Sequence, residues 1–97
     1  MGFFTNFFGS TPKMPRNLSA RPAQTVGAVV VSATDGPMPI TLKEMRDLAA
    51  TGSTSVRVHL VDVSLVDDEE LVELVELELR AIASDCGFTQ VDVEWYA

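Results

Sequence analysis

Between residues 25 and 97 the spacing of apolar residues switches four times between the two-residue period of a strand and the 3.6-residue period of a helix. With short connections, that alternation restricts the chain to a sheet of mainly parallel strands covered by helices. The first run, "TVGAVVVSA" over residues 25–33, is small and β-branched and ends at the turn signal "TDGPMP". Being apolar on both faces, it is expected in the middle of the sheet. "ITLKEMRDLAATG" then predicts a short helix. Thr41 is its expected N-cap, with Glu44 closing a capping box, Ile40 stapled onto Met45, and Gly52 as the left-handed stop. "STSVRVHLVDVS" predicts a second strand with Val56, Val58 and Leu60 on one face and Arg57 and His59 on the other. Val61 and Val63 continue the Arg57/His59 phase, which calls for a bulge or for cover over part of that face.

The longest element is the helix predicted from "VDDEELVELVELELRAIASDCG". Asp67 is its expected N-cap, Val66 is set to staple onto Leu71, and the run of four acids suits the positive end of the helix dipole. Leu71, Val72, Val75, Leu79, Ile82, Ala83 and Cys86 fall on one stripe, with Glu69, Glu73, Glu76 and Arg80 opposite. Leu74, Leu77 and Ala81 widen the stripe, which predicts a second neighbour on that flank. Glu78 lies just inside the apolar arc, and its place there has no explanation in the sequence. After Gly87, "FTQVDVEWYA" predicts a third strand, with Val91, Val93 and Trp95 opposite Gln90, Asp92, Glu94 and Tyr96. The expected fold is a small α/β two-layer sandwich of β-α-β-α-β order. Its three-stranded, mainly parallel sheet carries two helices on one face, and its other face is open. Both sheet edges are expected to be free to take a further strand.

Residues 1–24 read differently. Residues 9–24 contain Pro12, Pro15 and Pro22 among Ser, Thr, Asn and Gln, which predicts an extended arm ahead of a compact domain at 25–97. Charge divides at the same place: the first 24 residues hold Lys13, Arg16 and Arg21 and no acid, whereas all 14 acidic residues lie beyond them, beside four basic ones. A body of that sign is a poor partner for nucleic acid, whose phosphates need clustered Lys and Arg.

Catalytic and metal-binding patterns are sparse. His59 is the sole histidine and Cys86 the sole cysteine, so a triad, a zinc site and an internal disulfide are not expected. Cys86 reads as a structural thiol on the apolar stripe and "DDEE" as a solvated helix start. No phosphate-cradling glycine pattern occurs, and Asn6 stands where a myristoylation motif wants Ser or Thr. A non-enzyme without cofactor or metal is therefore expected. It is expected in the cytoplasm or inside an assembly formed there, such as a virion, without signal peptide or transmembrane segment.

Four of the five phenylalanines, Phe3, Phe4, Phe7 and Phe8, crowd into "MGFFTNFFGS". Their i, i+1, i+4, i+5 spacing would put all four rings on one face of a short helix, which needs an apolar surface in order to persist. Together with Lys13, Arg16 and Arg21 they form the expected partner-binding segment. A basic, aromatic arm and an acidic body are complementary between copies, which predicts a structural subunit of a homo-oligomer or a larger symmetric assembly. The alternative is a peripheral membrane or partner-binding module in which the rings enter a lipid interface and the basic residues meet anionic headgroups. A second interface is expected at Arg57, His59, Asp92 and Glu94 on the open sheet face and at Leu74 and Leu77 on the long helix.

Overall fold

The computed structural model describes residues 18, 20, 21 and 27–97. Of the arm expected at residues 1–24, all but residues 18, 20 and 21 lie outside the described residues. The body has the expected β-α-β-α-β order: β1 (Ala28–Ser32), α1 (Pro39–Ala50), β2 (Ser55–Val61), a 3-10 turn (Val63–Leu65), α2 (Glu69–Asp85) and β3 (Gln90–Trp95). All three strands are parallel, in the spatial order β1-β2-β3. Two crossovers of the same hand that step the same way across a sheet leave both helices on one face. Accordingly, Met45 of α1 and Val72, Leu79 and Ala83 of α2 share one core with Val29, Val31, Val56, Val58, Leu60, Val93 and Trp95. In register, Val29 lies beside Val58 and Val58 beside Val93, so this inner face is continuous across the sheet.

That strand order makes β2 the central strand and β1 an edge, not the centre expected from its apolar run. Val30, whose side chain points away from the helices, is 47% exposed. An edge strand thus carries a composition usually reserved for the interior.

Both helices start at positions slightly different from those expected. Pro39 takes the first position of α1, where its missing N–H is no loss, which moves the N-cap back to Met38. Thr41 consequently sits at the third position, and its Oγ1 accepts from Met38 N at 3.3 Å. Ile40 is exposed, so it does not staple onto the buried Met45. In α2 the cap is Asp68, one residue beyond Asp67, with Oδ1 accepting from Glu70 N at 2.9 Å. Gly52 and Gly87 end the two helices with φ of 91° and 102°, as expected of left-handed stops. At the second stop Gly87 N donates to Ser84 O and Phe88 N to Ala83 O, at 3.0 and 3.2 Å, and Phe88 is buried against the core. No helix among the described residues is long and apolar enough to cross a membrane.

Candidate functional site

Parallel register assembles the expected polar rows on the face without helices. Arg57 lies between Ala28 and Asp92, and His59 between Val30 and Glu94. The rows differ in what they offer to solvent. Arg57, Asp92 and Glu94 are exposed, whereas His59 is 3% and Val61 2% exposed. Both pairings run without a skipped residue, so no bulge explains the switch in β2 and partial cover does. Tyr96 is one part of that cover, its ring meeting His59 edge-on with centroids 5.1 Å apart. The Tyr96 hydroxyl donates to Glu94 Oε1 at 2.7 Å, and this hydrogen bond pushes its pKa above the ordinary tyrosine value. His59 Nε2 stands 3.8 Å from the same carboxylate oxygen, and its Nδ1 is buried with no hydrogen-bond partner among the described residues.

This trio has the residue types of an acid–base site but not the access. A general base must come within roughly 3 Å of the proton that it takes, and a sealed imidazole cannot meet a substrate. The ring is buried and packs edge-on against Tyr96. His59→Ala is therefore expected to lower stability by about 2 kcal/mol, as for a buried side chain cut back to Cβ. His59→Phe keeps the ring and removes the unpartnered nitrogen, so its thermal midpoint should equal or exceed that of the parent. A midpoint for His59→Phe as low as that of His59→Ala would show that the imidazole nitrogens themselves are needed.

Helix α2 meets the sheet with the side its stripe suggests, Val72, Leu79 and Ala83 in the core and Val75, Ile82 and Cys86 packed against it, but two residues depart from the expectation: Leu71 is exposed and Glu76 is buried. Glu76, expected on the solvent face, is 7% exposed. Its Oε1 accepts from Trp95 Nε1 at 2.6 Å and its Oε2 from Arg80 Nε at 3.0 Å, while Arg80 Nη1 donates to Val91 O at 2.9 Å. Tyr96 N donates to Leu60 O, so alternate residues of β3 turn their backbone toward β2 and Val91 turns outward. Arg80 thus occupies a carbonyl on the outer edge of the sheet, where an added strand would bond.

With Glu76 turned inward, the opposite side of α2 faces solvent. There Leu71, Leu74 and Leu77 are 53%, 60% and 62% exposed and Ala81 is exposed beside them. Glu78 is exposed too, so its place near the apolar arc needs no buried partner. The two parts of the expected second interface lie on opposite sides of the molecule: Arg57, His59, Asp92 and Glu94 on the open sheet face, Leu74 and Leu77 on the helical layer.

Of the expected arm segment, Phe3, Phe4, Phe7, Phe8, Lys13 and Arg16 lie outside the described residues. Leu18 packs against the core, and Arg21 forms an ion pair with Asp62. Asp62 follows β2 in a left-handed conformation, φ 61° and ψ 25°, and its other oxygen accepts from Ser32 Oγ at 3.0 Å. An aspartate tolerates this region better than most residues, and here it ties Arg21 to the carboxyl ends of β1 and β2. The sequence gives no sign of this junction or of the inward turn of Glu76, because both depend on which residues the fold brings alongside.

A cleft of ≈ 280 Å³ opens at the other end of the sheet, lined among others by Ser53, Ser55, Arg57 and Asp92. Open α/β sheets bind ligands outside the carboxyl ends of their strands, where the strand order reverses. This cleft lies at the amino ends, and among the described residues the order β1-β2-β3 has no reversal. Among the described residues no group of three or more His, Cys, Asp and Glu side chains is placed to hold a metal ion. No protein-family model matches the chain.

Proposed function

We propose that the chain is a non-enzymatic assembly subunit whose Phe-rich, basic N-terminal segment docks on a neighbouring copy, in a homo-oligomer or a larger symmetric assembly. The observation that carries this reading is the division of labour along the chain. A closed core is built from β1 to β3 with Leu18 at its margin, while four of five phenylalanines lie in the first eight residues. Large aromatic anchors beside basic charge are suited to an interface, where a few buried rings supply most of the binding energy. The acidic body supplies the complementary field. Support for a non-enzyme comes from the burial of His59 and from the absence, among the described strands, of a reversal in strand order.

The same segment suits an anionic lipid surface, though the pairing of Arg21 with Asp62 engages one of its three basic side chains within the chain. Two variants of the full chain separate the readings. Phe4→Ser with Phe8→Ser removes ring anchors from either mode. Lys13→Gln with Arg16→Gln removes the attraction to anionic headgroups but only trims a protein contact. Sedimentation velocity should show self-association lost in the Ser variant and largely kept in the Gln variant. Neither protein should pellet with phosphatidylserine vesicles. Salt-sensitive pelleting of the parent, abolished in the Gln variant, would establish the lipid reading instead.

A further inference from the structure

We infer that the outer face of α2, centred on Leu74 and Leu77, receives the Phe3/Phe4/Phe7/Phe8 segment of a second copy; this rests on the reading that the arm docks between copies. The face is built to remain outside the core: Val72, Leu79 and Ala83 point into the body, and Leu74 and Leu77 stand roughly opposite them at about 100° per residue. Three exposed leucines on one helix leave an apolar strip without a partner among the described residues.

Charge selects the occupant. Glu73 and Glu78 flank the strip and Glu70 stands at its upper end, with Asp67 and Asp68 just before the helix. Two copies of this face brought together would set glutamate against glutamate across a desolvated seam, so the helix is a poor partner for itself. A segment that combines rings with cations fits better. The 17 residues before Leu18 carry four Phe, Lys13 and Arg16 and no acid. The rings match the leucines and the cations match the acids crowded at the start of α2. Leu18 and Arg21 fix the root of the arm on its own body, so the segment reaches a neighbour from a defined point. Such a contact joins unlike surfaces and therefore propagates into a ring or chain of subunits, or closes by exchange of arms between two copies.

Complementation between two full-length variants tests this. One carries Phe4→Ser and Phe8→Ser and keeps the receiving face; the other carries Leu74→Ser and Leu77→Ser and keeps the arm. Because Leu74 and Leu77 are exposed, the second should melt close to the parent temperature; if it does not, Leu74→Gln with Leu77→Gln takes its place. Each variant alone should associate at least about tenfold more weakly than the parent in sedimentation velocity. An equimolar mixture should recover a one-to-one dimer, because one intact arm meets one intact face. If the Leu variant associates like the parent while the Phe variant does not, the arm docks elsewhere and this face is excluded. If the mixture recovers nothing, the contact is not arm to face. A parent that is monomeric at every concentration would remove both this inference and the reading beneath it.

Discussion

Replacing Glu76 by Ala is expected to destabilise the body by about 2–3 kcal/mol, the cost of taking the acceptor from a buried N–H and one partner from a part-buried ion pair. The two hydrogen bonds of this carboxylate contribute unequally. Trp95 is 3% exposed, so its indole N–H has little water to turn to, whereas the Arg80 side chain is 41% exposed and readily rehydrated. In a domain of this size the loss corresponds to a fall of roughly 10–20 °C in thermal midpoint. Glu76→Gln keeps an amide oxygen for Trp95 and should lose about 1 kcal/mol. Trp95→Phe, combined with Glu76→Ala in a double-mutant cycle, should show a coupling of at least about 1 kcal/mol. Additive losses would mean that the indole and the carboxylate do not support each other, and that Glu76 holds α2 through Arg80 instead.

The sequence makes the fold legible to the level of elements and faces because burial follows period. Val56, Val58 and Leu60 face the helices as their alternation requires, and Met45, Val72, Leu79 and Ala83 meet them. It is less informative where a choice depends on partners far along the chain. The apolar run of β1 suggests a central strand, yet strand order is set by the crossovers, which place β2 in the middle. Glu76 reads as solvated because charge is the only local cue, while its actual partner, Trp95, lies 19 residues away. The helix starts are displaced by one to three residues for local reasons, the preference of Pro39 for the first helical position and the competition of two adjacent aspartates for one cap. Of the expected interaction residues, Leu74 and Leu77 emerge as an apolar surface. Arg57, Asp92 and Glu94 share the open sheet face with a His59 that is sealed beneath it.

The arm carries the functional proposal, and its removal is expected to have the largest effect on the native state of assembly. Leu18 and Arg21 contact the body, so the cut belongs immediately before Leu18 and leaves both in place. A chain that begins at Leu18 retains every strand and helix of the described residues, with their caps and the Asp62 junction, and should melt cooperatively. What it loses is four phenylalanines and two of the three basic residues of the arm. If each docked ring contributes even about 1 kcal/mol, their joint loss weakens association by a factor on the order of several hundred to a thousand, enough to remove it at micromolar concentration.

Light scattering coupled to size exclusion, run on the intact and the shortened chain over a hundredfold range of concentration, tests the assembly reading most directly. The expected result is a mass for the intact chain that is a multiple of 10.5 kDa and rises with concentration, against a constant monomer mass for the chain that begins at Leu18. The same mass for both chains at every concentration, with the shortened chain folded, would contradict assembly through the arm.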